Sequence, residues 1–100
     1  MEQIERIREM EDALDQAAAA AAELSAVLAQ YHIALEQIRK LDDYYGSGLW
    51  YEDVQADESG ALPKDLKRGV LSEDGIWNLL SENHDLAIEM LETATETLKK

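Results

Sequence analysis

The sequence predicts an all-α protein built on two long antiparallel helices, spanning about residues 3–45 and 72–98. Three observations support this fold class. An apolar stripe of helical period runs through the first forty-five residues, which contain no proline and no glycine. Glycines cluster directly after that stripe, and a second helical pattern fills the last quarter of the chain.

The first helix is defined by apolar residues that recur at alternating steps of three and four. They are Ile7, Met10, Leu14, Ala17, Ala21, Leu24, Leu28, Tyr31, Leu35 and Ile38. This spacing places all ten on one helical face, and its seven-residue repeat is typical of a coiled coil. Acidic residues near the start and Arg39 and Lys40 near the end also suit the helix dipole. Gly46 and Gly48 favour termination, because glycine readily adopts the left-handed conformation found at helix ends.

The connection from Leu49 to Leu71 is predicted to be irregular but structured. Pro63 is suited to open a short helical turn that runs to Arg68, since proline is favoured in a first turn. Gly69 is expected to stop that turn.

The second helix is expected to begin at Ser72, whose hydroxyl can accept a free backbone N–H at the helix start. Its predicted buried stripe is Ile76, Leu80, Asn83, Ala87, Met90 and Ala94. This helix is much shorter than the first, so antiparallel pairing would leave the first dozen residues uncovered. A homodimer that forms a four-helix bundle would bury the apolar residues there, and we therefore expect an oligomer.

Composition limits the function further. Twenty-two acidic against nine basic residues give a net charge of −13, which disfavours nucleic acid and anionic membranes as partners. The absence of cysteine excludes disulfides and thiolate metal sites. We see no signal peptide and no apolar run near the roughly 20 residues that span a bilayer. We expect one domain over residues 1–100, located in the cytoplasm.

Aromatic residues concentrate around the end of the first helix, with one more at the start of the second. The candidate partner-binding residues are Tyr44, Tyr45, Trp50, Tyr51, Asp53 and Trp77. One interpretation is a hydrophobic plug that closes one end of the bundle. The other is a recognition surface, because tyrosine and tryptophan are enriched at binding hot spots.

Other groupings of polar residues argue against catalysis. Five acids follow one face of the second helix, but that face lies opposite the apolar stripe: Glu82, Asp85, Glu89, Glu92 and Glu96. His32 and His84 lack the Glu-x-x-His spacing of di-iron bundles. The loop acids that follow Asp53 fail the EF-hand pattern, although weak divalent binding stays open. Accordingly, we predict no catalytic residue, metal ligand or cofactor.

One acid interrupts the apolar stripe of the first helix. Asp42 continues the stripe after Ile38, and a carboxylate at such a position is costly unless it is paired. An ion pair with Arg68 or Lys67 is the hypothesis we favour for it.

The segments LDDYYGSGLWYEDV and LPKDLKRGVLSEDGIWNLL resemble a family of short, uncharacterised bacterial helical proteins, known as a domain of unknown function. The similarity spans nearly the whole chain and is most specific at Tyr44 to Ser47, at Trp50 with Asp53, and from Gly69 to Asp74. The resemblance implies a bacterial, cytoplasmic protein with an ordered connection between its helices. It implies no activity.

The leading functional hypothesis is a non-enzymatic protein–protein interaction or assembly module that self-associates. An acidic regulator that binds a cationic protein, as a mimic of nucleic acid, is the alternative allowed by the net charge. A metal-dependent enzyme is the third reading and has the least support.

Overall fold

A computed structural model describes residues 2–99, and every regular element in that range is helical. Helix α1 spans Gln3–Gly46, α2 spans Leu49–Glu58 and α3 spans Gly75–Leu98, with a short 3-10 helix at Gly69–Leu71. The predicted all-α class is confirmed. The first long helix ends within one residue of its predicted boundary, because nothing in its sequence interrupts the backbone hydrogen bonding before Gly46.

The connection differs from the prediction in two places. Residues 49–58 were expected to be irregular but form α2, since no glycine or proline interrupts LWYEDVQADE. The predicted helical turn from Pro63 to Arg68 is wrong: it is a non-helical turn, in which the Leu66 N–H donates to the Pro63 carbonyl at 3.2 Å. The 3-10 helix instead begins at Gly69, the residue expected to end the turn.

The second long helix begins at Gly75, three residues later than expected, and ends at the predicted Leu98. Ser72 nevertheless performs the predicted function at the helix start. Its Oγ accepts the Gly75 N–H at 3.1 Å.

The contacts divide the chain into two units, which meet in sequence between Gln37 and Ile38. The first unit is the greater part of α1, and every described residue from Glu2 to Gln30 in it is exposed. The part of the apolar stripe from Ile7 to Leu28 is therefore open to solvent in the single chain, with Met10 56% and Leu24 55% exposed, whereas Tyr31 and Leu35 are half-buried. The prediction of one domain stays a prediction.

The second unit contains the end of α1, α2, the 3-10 helix and α3, and it has a small apolar centre. Ile76 is 3% exposed and is the one buried residue among those that the structure describes. The 3-10 helix contacts both α2 and α3 and so connects them. Of the stripe predicted to be buried on α3, only Ile76 is buried, whereas Leu80 and Asn83 are half-buried and the remaining three members are exposed.

One helix in residues 2–99 meets the minimum length and apolarity for crossing a bilayer. That helix is α1, and the criterion considers length and composition alone. This finding differs from the expectation that no apolar run in the sequence approaches the length needed to span a bilayer. It depends largely on the alanine run at residues 17–22, which raises the average hydropathy without large apolar side chains.

Candidate functional site

A tight turn between α1 and α2 brings the predicted aromatic residues together. Gly48 has a φ of 87°, in the left-handed region that favours glycine, and it allows α2 to begin two residues after Ser47. Ser47 fixes the same turn: its Oγ donates to the Tyr44 carbonyl at 2.9 Å and accepts the Leu49 N–H at 3.2 Å. The last turn of α1 therefore lies against the side chains of α2.

Tyr44 and Asp53 form the first contact across this turn. The Tyr44 hydroxyl donates to Asp53 Oδ2 at 2.5 Å, a short hydrogen bond of the charge-assisted kind. The hydrogen bond to the carboxylate, followed by partial burial and the repulsion of a second negative charge, raises the pKa of Tyr44 to about 12. The phenol therefore stays protonated and remains a donor at neutral pH.

Trp50 forms the second contact and connects α2 to the 3-10 helix. Its indole Nε1 donates to the Val70 carbonyl at 2.9 Å. Its ring also meets the edge of Tyr45, with the ring centroids 4.9 Å apart and the planes inclined by 62°. This T-shaped arrangement is favourable for aromatic pairs. The Trp50 side chain is therefore fixed by contacts with both the 3-10 helix and the end of α1.

Arg68 closes the segment that follows α2. Its guanidinium donates to Asp57 Oδ1 and to the Pro63 carbonyl, both at 2.5 Å, and more weakly to the Leu66 carbonyl at 3.3 Å. Both charged side chains are partly buried, at 34% and 27% exposure. One side chain therefore ties residues 63–66 back to α2, and a planar, multi-donor group is suited to that task.

The start of α3 is held by a compact set of contacts around Ser72. The Ser72 hydroxyl donates to the Gly69 carbonyl at 2.8 Å while it accepts the Gly75 N–H. A Cβ on Gly75 would lie 2.7 Å from both Gly69 O and Ser72 Oγ. The close approach therefore requires glycine at position 75.

The second unit contains a groove of about 360 Å³, and the Tyr44–Asp53 pair forms part of its wall. It is lined by Tyr44, Asp53, Leu62, Leu66, Lys67, Val70 and Leu71. The groove offers an apolar wall, a phenol–carboxylate pair and one amine. Sequence reasoning singled out Tyr44 and Asp53 but missed the apolar lining, because those residues come from an irregular stretch without a periodic pattern.

The structure brings together four of the six predicted partner-binding residues, as the pairs Tyr44–Asp53 and Tyr45–Trp50. The other two have exposed side chains: Tyr51 is 60% exposed and Trp77 is 57% exposed. The bound residues therefore order the connection, and the free aromatic surface lies on Tyr51 and Trp77.

The remaining polar candidates are distributed as follows. The proposed ion pair of Asp42 with Arg68 or Lys67 is wrong, because Asp57 on the unexpected helix α2 binds the Arg68 guanidinium, and the exposed Asp42 is ion-paired with neither base in the part of the chain that the structure describes. His32 and His84 are both exposed. Within residues 2–99 no three histidine or carboxylate side chains form a group that could hold a metal ion.

Together, the long helix and the ordered connection define a small all-α protein. Its distinctive residues lie in the structured segment that connects the helices. The chain belongs to the family described as Domain of unknown function (DUF4298), whose model matches residues 7–93. This confirms the resemblance seen in the sequence. No curated protein and no solved structure shows significant similarity to the chain.

Proposed function

We propose that this protein is a non-enzymatic assembly module that self-associates through α1 and presents the second unit to a protein partner. The observation that carries the proposal is the apolar stripe of α1, which is exposed in the single chain. Five large members of the stripe are between 41% and 61% exposed: Ile7, Met10, Leu14, Leu24 and Leu28. Contiguous apolar surface of this kind is typical of an interaction site.

The free energy gained by burying the apolar stripe favours self-association. Fully burying one such side chain contributes about 1.5–3 kcal/mol, so covering the exposed half contributes about 1 kcal/mol. Five residues from each of two copies then contribute about 10 kcal/mol, comparable with the ~4–15 kcal/mol cost of association. The exposed alanines of the stripe, Ala17 and Ala21, add to this. We therefore propose a dimer that dissociates on dilution, in which the long helices pack as an antiparallel bundle.

A bilayer is a less suitable environment for the same helix. Asp15 and Glu23 lie on either side of the alanine run, and the longest uncharged stretch between charges in this region is residues 24–35. Roughly 20 apolar residues are needed to span a bilayer. Each carboxylate at the membrane centre costs about 2.5–3.5 kcal/mol on the insertion scale. A second protein helix can cover the apolar face and leave these charges in water.

The partner-facing surface of the proposal is the aromatic end of the second unit. Tyr51 and Trp77 are exposed, while the contacts of Tyr44, Tyr45 and Trp50 order the turn between α1 and α2. Exposed aromatics on an ordered support can bind with little loss of side-chain entropy. We therefore retain Tyr44, Tyr45, Trp50, Tyr51, Asp53 and Trp77 as the proposed partner-binding region.

Sedimentation and light scattering across a concentration series test the proposal. We expect a dimer mass that falls towards 11.2 kDa on dilution. Leu24→Glu should be monomeric, because it places a charge in the stripe. Gln30→Glu adds the same charge to α1 outside the stripe and should still dimerise. A wild-type chain that stays monomeric up to about 1 mM would have an association energy below about 4 kcal/mol, and the proposal would fail.

A second candidate is an acidic module that binds a cationic protein. The observation in its favour is the row of exposed acids on α3, formed by Glu82, Asp85, Glu89, Glu92 and Glu96. Binding to such a row should weaken steeply as salt rises, because attraction between exposed charges is screened. A partner retained at high salt and lost in Trp77→Ala would favour the aromatic surface instead.

A further inference from the structure

We propose that α1 pairs with α1 of a second copy in antiparallel orientation, with Ala21 opposite Leu24 of the second copy. This inference rests on the proposed self-association and specifies its geometry. It is drawn from the order of large and small residues along the stripe, which is exposed from Ile7 to Leu28, and from the charges beside it.

The order of side-chain sizes favours the antiparallel orientation. In a parallel pair each stripe residue meets its own counterpart, so Ala17 and Ala21 would give two adjacent layers with little volume. In the antiparallel register proposed here, Ala17 meets Leu28 of the second copy and Ala21 meets Leu24. Each small residue then faces a large one, as close packing between helices requires. The layers further out pair Leu14 with Tyr31, Met10 with Leu35, and Ile7 with Ile38, of which Tyr31, Leu35 and Ile38 are half-buried in the single chain.

Neighbouring registers are less favourable. A shift of one heptad in one direction places Ala17 opposite Ala21 of the second copy, and Ala21 opposite Ala17, so that two layers again have little side-chain volume. A shift in the other direction places Asp42 opposite Met10. The Asp42 carboxylate is exposed in the single chain, and in this register it would lose its contact with water without gaining a partner. A parallel pair is worse still at this position, because the two Asp42 carboxylates would face each other. The proposed register avoids all three conflicts.

The charges beside the stripe are compatible with this arrangement and allow a test that distinguishes it from a parallel pair. Glu11 and Arg39 each follow a stripe residue directly, after Met10 and Ile38. Side chains lean towards the start of their own helix, so in the antiparallel register Glu11 and Arg39 of the second copy lean towards each other. The two-fold symmetry gives two such opposite-charge contacts per dimer. In a parallel pair Glu11 would instead meet Arg6 of the second copy.

A distance measurement between spin labels tests the geometry. The chain has no cysteine, so Asp12→Cys provides a single nitroxide site on the exposed side of α1. In the proposed register, position 12 lies opposite position 33 of the second copy, and the labels are offset along the axis by roughly 31 Å. Shifts of one heptad change this offset to roughly 21 or 42 Å, and a parallel pair reduces it to about zero.

The outcomes separate the inference from the proposed function. An intermolecular distance with the 31 Å offset supports the register. A short distance, or either of the shifted offsets, overturns the register while self-association stands. The absence of any intermolecular distance at a concentration of about 1 mM overturns both.

Charge reversal supplies a second, independent readout. Arg39→Glu should weaken the dimer by roughly fivefold to tenfold, because two exposed ion pairs become repulsive. Arg6→Glu changes the net charge equally and should have little effect. Glu11→Arg combined with Arg39→Glu should restore the wild-type dissociation constant. A dimer weakened by Arg6→Glu and not by Arg39→Glu would identify a parallel pair and overturn the inference.

Discussion

Arg68 is the side chain whose removal should most disturb the segment that connects α2 and α3. Its guanidinium holds Asp57, the Pro63 carbonyl and the Leu66 carbonyl at once. Arg68→Met keeps much of the aliphatic volume and removes every donor. The loop from residue 59 to residue 67 would then lose its connection to α2, and the Asp57 carboxylate would be left without its partner.

The expected loss follows from the three contacts. The ion pair is about one third exposed, so screening by solvent limits its contribution to about 1 kcal/mol. The two hydrogen bonds to carbonyls contribute about 0.5–1.5 kcal/mol each, with the 3.3 Å bond at the low end. Arg68→Met should therefore destabilise the second unit by about 2–3 kcal/mol. This is a large part of the roughly 5–15 kcal/mol that stabilises a typical domain.

Urea unfolding followed by tryptophan fluorescence measures this loss. Both tryptophans lie in the second unit, and Trp50 is bonded to Val70 beside the segment that Arg68 holds. Asp57→Asn is the matched control, because it removes the charge pair and leaves the donors to the carbonyls; it should cost about 1 kcal/mol. Arg68→Lys keeps the charge without the planar fork and should fall between them. If Arg68→Met changes the free energy of unfolding by less than about 0.5 kcal/mol, the role assigned to Arg68 is wrong.

Four further predictions concern the same unit. Gly75→Ala should destabilise it by about 1–2 kcal/mol in urea unfolding, because the new Cβ would meet Gly69 O and Ser72 Oγ at 2.7 Å; a stabilised variant would contradict this. Because the pKa of Tyr44 is raised to about 12, the stability that its hydrogen bond to Asp53 contributes is complete below about pH 10 and is lost as the pH rises towards 12. The free energy of unfolding of Tyr44→Phe should therefore depend less on pH in that window than that of the wild type. In a titration of phenolate absorbance, Asp53→Asn should return one late-titrating tyrosine towards its ordinary pKa; an unchanged curve would refute the assigned cause. Trp50→Phe should cost about 1 kcal/mol in thermal unfolding through the lost bond to the Val70 carbonyl, and an unchanged melting temperature would show that this bond contributes little.

The helices were largely predictable because their signals are local. Uninterrupted helix-forming residues fix α1 from Gln3, and Gly46 and Gly48 mark its end. The hydroxyl of Ser72 was correctly expected to bond a helix-starting N–H, although the helix begins three residues later. The helix α2 was missed because its acidic residues resemble a turn-rich loop when only composition is considered.

The candidate site was predictable in its residues but not in its contacts. The cluster from Tyr44 to Asp53 is conspicuous in the sequence, yet nothing local indicates that Tyr44 binds Asp53 or that Trp50 reaches Val70, twenty residues away. The partner of Arg68 was predicted wrongly for the same reason. Several acids compete for one guanidinium, and the position of α2 selects Asp57.

By itself, the sequence determined the helical class, the extent of α1 and the apolar stripe along it, because backbone hydrogen bonding and helical periodicity depend on near neighbours. The tertiary structure decided which polar groups meet: Tyr44 with Asp53, and Arg68 with Asp57. It also decided that Ile76 is buried while Met10 and Leu24 remain open to solvent in the single chain. Burial and pairing depend on how separate elements approach in space, and no repeat along the chain encodes that approach.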